Sequence, residues 1–171
     1  MYMSLVGASY QVRAGTITTP LVGDVVITDT AAEYSVDAAS GTSIIPVYQN
    51  ISLRLLTGTL HEYATKSVGA VSTAGTAFVP LPLRTNGGAA ASTARVSAAG
   101  GVTVTAELAT TTRRHWSWSN PAAGATGALP TAGYALEWTP RMPPVLVGPY
   151  CLYTQVAATG TGPSFYANLD F

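Results

Sequence analysis

Two runs of alternating residues flank a glycine pair: Ala94, Val96 and Ala98 come before Gly100-Gly101, and Val102, Val104, Ala106 and Leu108 come after it. Period-two alternation of this length marks half-buried strands, and the glycines between them mark a hairpin. A two-residue Gly-Gly loop would turn Val96 to the wrong face. A three-residue loop, Ala99-Gly100-Gly101, instead pairs Ala98 with Val102, Val96 with Val104 and Ala94 with Ala106. That register keeps one apolar face intact, and a slip of one residue would invert it. The expectation is a β protein organised around this hairpin.

The same pattern recurs along the chain. Residues 2–13 read as a first strand. Residues 16–28 read as two short pieces, or one edge strand with a bulge, because Pro20 and Gly23 interrupt them. Residues 31–39 admit a short strand around Tyr34-Ser35-Val36 or one helical turn capped by Asp29 or Thr30. In residues 44–66, Leu53, Leu56 and Leu60 would suit a helix, but Thr57-Gly58-Thr59 oppose it. Two strand segments with a bulge near Leu55-Leu56 fit better. Short strands follow at 68–72 and 76–84. Thr110–Trp118 continues as a strand, and Asn120–Thr131 is a turn-rich surface loop. Tyr134, Leu136 and Trp138 alternate, residues 145–156 form a strongly apolar central strand kinked at Pro149, and Phe165, Ala167, Leu169 and Phe171 alternate again. The fold class expected is all-β, a two-sheet sandwich or small barrel. Its best-fitting form is a single eight-stranded jelly roll over residues 1–171, with room for extra terminal strands.

Composition then narrows the functions. Charged residues make up 9% of the 171, and eight cationic residues cancel eight anionic ones. No basic footprint recommends direct contact with nucleic acid. A surface so poor in charge promotes association. The start Met1-Tyr2-Met3-Ser4 has no charged leader region, and no apolar run is long enough for a membrane-spanning helix. The single cysteine, Cys151, is either a small buried hydrophobe or, if exposed, the source of an intermolecular disulfide.

Catalytic patterns are sparse. The two histidines, His61 and His115, accompany no G-x-S-x-G elbow and no metal-binding spacing, and no glycine-rich phosphate loop precedes a helix. Asp24/Asp29 and Glu33/Asp37 are the acid pairs that could flank a sugar bond, a geometry that sequence does not measure. No catalytic residue, cofactor or metal is expected. The most pointed cluster is Arg113-Arg114-His115-Trp116-Ser117-Trp118. On a strand, Arg114, Trp116 and Trp118 share a face, which serves either as a stacking platform for a sugar or base, or as core or interface packing.

The chain's length, its Thr/Val/Ala strands, its single lysine (Lys66), its Gly/Ala/Pro loops and its closing strand together resemble a viral coat protein. Across residues 1–171 the chain resembles the smaller major capsid protein of membrane-containing icosahedral phages of thermophilic bacteria, the sphaerolipovirus type. That resemblance implies an upright single jelly roll in a virion shell assembled in the host cytoplasm. It also implies dimers working with a second, larger capsid protein above an internal lipid layer. On this reading Arg114, Trp116, Trp118, Phe165, Leu169 and Phe171 form the subunit interface, and the strands at 2–13 and 163–171 offer backbone edges that a neighbour completes. Two alternatives stand beside it. One is a carbohydrate-binding sandwich of a phage tail or cell surface, using Trp116, Trp118 and Tyr134. The other is an outer-membrane barrel, suggested by the alternation ending in Phe171.

Overall fold

The computed structural model describes residues 8–16, 18–55, 58–106, 110–119 and 135–171. Its elements are all strands. The first ten are β1 (Tyr10–Ala14), β2 (Leu21–Val22), β3 (Ala31–Ala32), β4 (Tyr34–Ala38), β5 (Ser43–Ile44), β6 (Tyr48–Leu55), β7 (Leu60–Val68), β8 (Thr73–Ala74), β9 (Thr76–Phe78) and β10 (Leu81–Pro82). After them come β11 (Thr93–Val96), β12 (Val102–Thr103), β13 (Thr110–Ser119), β14 (Ala135–Trp138), β15 (Leu146–Val147), β16 (Tyr150–Ala158) and β17 (Ser164–Asp170).

The strands make an all-β sandwich. Sheet one runs β10-β1-β17-β6-β14, with β2 added to β17; sheet two runs β13-β7-β16-β4-β11-β9. Between them lies the main core, built from Val12, Tyr34, Val36, Ile51, Leu53, Tyr63, Leu152, Val156, Phe165 and Leu169 among others. A small third sheet, β3-β12-β8, lies over the back of sheet two. It closes a second cluster of Ala32, Val68, Val102, Val104, Cys151 and Tyr153. The middle strands of sheet two are therefore covered on both faces: every residue of β4 is buried, and so is all of β16 after Tyr150. A strand covered on both sides has no polar face to alternate with, which is why residues 31–39 were ambiguous between strand and helix. The structure makes Tyr34–Ala38 a strand.

Three expectations need correction. The two alternating runs about Gly100-Gly101 do not pair with each other. β11 pairs with β4 and β9, with Ala94 opposite Val36, while β12 pairs with β3 and β8, with Val102 opposite Ala32. The turn is tight: Gly101 N donates to Ala98 O at 3.3 Å, and Ala99 and Gly100 both have positive φ, 49° and 67°. Its two arms nevertheless enter different sheets and feed different cores. Second, of the bulge expected near Leu55-Leu56, Leu56 lies outside the described residues, and β6 ends at Leu55 in sheet one while β7 begins at Leu60 in sheet two. The register shift lies one step earlier, where Phe165 pairs with Leu53 and Ser164 with Leu55. Third, the closing strand is no free edge. β17 lies between β1 and β6, and β1 lies between β17 and β10. Residues 1–7 and the 120–131 loop lie outside the described residues.

Candidate functional site

Phe165 and Leu169 do not belong to an interface. They alternate with half-buried polar neighbours along β17 and sit in the main core at 0% and 1% exposure. Phe171 is half-buried against the same core, its backbone locked to Tyr10 by reciprocal hydrogen bonds of 2.8 and 3.0 Å. Cys151 is fully buried in the second cluster. Burial pushes its thiol well above the ordinary range, and the neighbouring Asp37 carboxylate adds to the shift. A protonated thiol without access makes no intermolecular disulfide. The expected result is that Cys151 ignores a thiol reagent in the folded protein and reacts only after unfolding. Rapid native-state labelling would contradict this placement.

Arg114, Trp116 and Trp118 do share a face of β13, the edge strand of sheet two, and the face is the inner one. Trp116 pairs with Tyr63 and Trp118 with His61, both core-facing residues of β7. The Trp118 ring stacks on His61 and on Tyr63, each at 5.0 Å between centroids and within 5° of parallel. The Arg114 guanidinium lies 5.2 Å from the Trp116 ring centre, a separation suited to cation–π attraction. Both tryptophans are half-buried against the main core. They pack over the core at the β13 edge of the sandwich, each with part of its surface still exposed. Tyr134 lies outside the described residues. His61, fully buried in this stack, has its pKa lowered by desolvation.

Of the acids, Glu33 and Asp37 are buried and held by hydrogen bonds within the fold. Glu33, 2% exposed, accepts the Val156 N–H at 2.7 Å. Burial raises its pKa to about 8, with the Val156 hydrogen bond opposing and the Asp24 charge reinforcing the shift. Asp37 accepts from Ser72 N (2.9 Å) and Ser72 Oγ (2.7 Å) and faces Arg95 Nε at 3.6 Å. These bonds pin the loop before β8 onto the back of sheet two.

Two features were not anticipated. In the middle of the main core, Gln49 of β6 donates to Tyr34 Oη and, at 2.8 Å, to Thr154 Oγ1. Its Oε1 accepts from Thr65 Oγ1 at 2.7 Å, and the two threonine hydroxyls lie 3.1 Å apart. This network joins the two sheets through polar groups. Alternation hid it, because Gln and Thr at inward positions read as outward ones. The second is a cleft of about 310 Å³ on the back of sheet two, lined by Asp29, Glu62, Lys66, Thr112 and His115 among others. Its ionic groups are of both signs, and among the described residues no cluster of three His, Cys, Asp or Glu could hold a metal ion.

Exposed aliphatic side chains gather near the two ends of β6, with Val79, Leu81 and Leu83 exposed on and beside β10. At one end, Val25, Val26 and Leu60 line a shallow depression with residues 157–159, while Val22 and Leu55 flank Ser164 from opposite sides. At the other, Ile45 and Val47 adjoin the β5–β15 pair, where Val147 is 61% exposed, and Met142 on the same approach is 89% exposed. Compared with family models, curated proteins and solved structures, the chain matches none of them.

Proposed function

We propose that the chain is a structural subunit of an icosahedral virion shell, a viral capsid protein of the single jelly-roll kind. It associates with copies of itself and with a larger capsid partner above a lipid layer, and its work is association, not turnover. The jelly-roll reading is supported by nested pairing among the long strands. β1 pairs with β17, β4 with β16, β6 with β14 and β7 with β13, the first with the last and so inward. That is one long hairpin wound into two sheets, a form that serves capsid and lectin domains alike. Fold alone therefore does not choose the function.

The observation that carries the proposal is the branched aliphatic surface at both ends of a sandwich with almost no charge. Val26 at 57% and Val147 at 61% exposure are unlike the polar ends of a solitary particle. An outer-membrane barrel fits less well. β17 turns Phe165, Ala167 and Leu169 inward and Tyr166, Asn168 and Asp170 outward, the reverse of a lipid-facing strand.

Sedimentation at micromolar concentrations tests the proposal. Dimers or larger species are expected, insensitive to salt because the contacts are apolar. Val25→Asp with Val26→Asp, or Val145→Asp with Val147→Asp, should dissociate them while leaving the β-sheet circular dichroism unchanged. A wild-type protein that stays monomeric at high micromolar concentration would overturn the reading.

A further inference from the structure

A cavity of about 390 Å³ opens where β1 and β17 meet the crossing through β5. Tyr10 and Phe171 form one wall, their rings 5.9 Å apart, and Ile44, Ile45 and Val47 form another. Ile44 is buried, whereas Ile45 and Val47 are exposed and mark the mouth. No acidic, basic or imidazole side chain lines it. One group in this lining is out of place: Ser92, 6% exposed, has a buried hydroxyl that meets no hydrogen-bond partner among the described residues. Buried hydroxyls are ordinarily paired, and an unpaired one is costly.

We propose that this cavity binds an uncharged ligand with a hydrocarbon body and one hydrogen-bonding group that reaches Ser92, a ligand of the class and size of a medium-chain aliphatic alcohol. The size follows from volume: a cavity of roughly 150 Å³ accepts benzene, so this one takes about a dozen or more non-hydrogen atoms. The neutrality follows from the lining, since an ionised head would lose its hydration with no counter-charge to meet it. The single polar contact fixes the ligand's direction, as in apolar pockets with a few placed polar groups. The site is independent of the assembly reading, because it needs nothing from a second chain.

Titration calorimetry of the full chain with 1-decanol tests it. Saturable one-to-one binding with a negative heat-capacity change is expected. Decanoate at pH 8 should bind about tenfold more weakly or not at all. Ser92→Ala should weaken decanol by roughly five- to tenfold, the worth of one hydrogen bond. Ile45→Trp, placed at the mouth, should abolish binding, and both variants should keep the wild-type circular dichroism. Absence of saturable binding would overturn the proposal. Equal binding by both variants would overturn it too, since decanol would then be partitioning onto other apolar surface.

Discussion

Gln49→Ala is expected to lower the unfolding free energy by about 3–5 kcal/mol, a large share of the stability of an ordinary domain. The side chain is fully buried and holds three hydroxyls, from Tyr34, Thr65 and Thr154, that belong to three strands of the opposite sheet. Its removal leaves a cavity and strips partners from groups that water does not reach, each worth about 1–3 kcal/mol when orphaned. Thr65 and Thr154 can still bond to each other, which limits the total. Gln49→Leu restores volume without the polar contacts and should fall between the two. Urea unfolding, read as a midpoint shift at constant slope, makes the comparison. An alanine variant within about 1 kcal/mol of wild type would mean that the sheets are held by apolar packing alone.

Stability should also fall as the solution becomes alkaline, and Glu33 should be the cause. Its folded pKa is raised to about 8 from the ordinary carboxylate value of 4.5. Between those values the folded state keeps a proton that the unfolded chain has released. The stabilisation is therefore complete below the unfolded value and is lost as pH rises through the folded one. The full span corresponds to about 5 kcal/mol at most. Glu33→Gln keeps an acceptor for the Val156 N–H and removes the ionisation, so its melting temperature should hardly change between pH 7 and pH 9 while that of wild type declines. Parallel profiles for the two proteins would show that Glu33 does not carry the effect. His61 works in the other direction: with its pKa lowered by burial, it withdraws stability as pH falls below the usual imidazole range.

How much of this could be read in advance depended on how many faces of a strand are buried. β17 and β13 were legible because one face of each is more exposed than the other, so Phe165, Ala167 and Leu169, or Trp116 and Trp118, stand out by spacing. Tyr34–Ala38 was not legible, since its outward Ser35 and Asp37 are buried beneath the β8 loop by hydrogen bonds to Ser72. The Gly100 turn shows a different limit. Alternation told which residues of each arm point to a core, but nothing local tells that Ala94 and Val102 point to different cores. The same holds for the supposed interface. Apolar periodicity marks Phe165 and Leu169 as buried without saying whether this chain or a neighbour does the burying. The cavity at Tyr10 and Ser92 joins residues far apart in sequence and left no trace in it.

The pairing of β1 with β17 has a consequence for how the molecule is made. Gln11 and Asp170, which share a hydrogen bond, are 159 positions apart. β1 and β6 never touch in the sheet order except through β17. On a ribosome, sheet one must wait for a strand that emerges long after its neighbours, and loops this long close slowly. Until then the inner sides of Val12 and Ile51 stand open, so synthesis should be the stage at which this protein depends most on a chaperone.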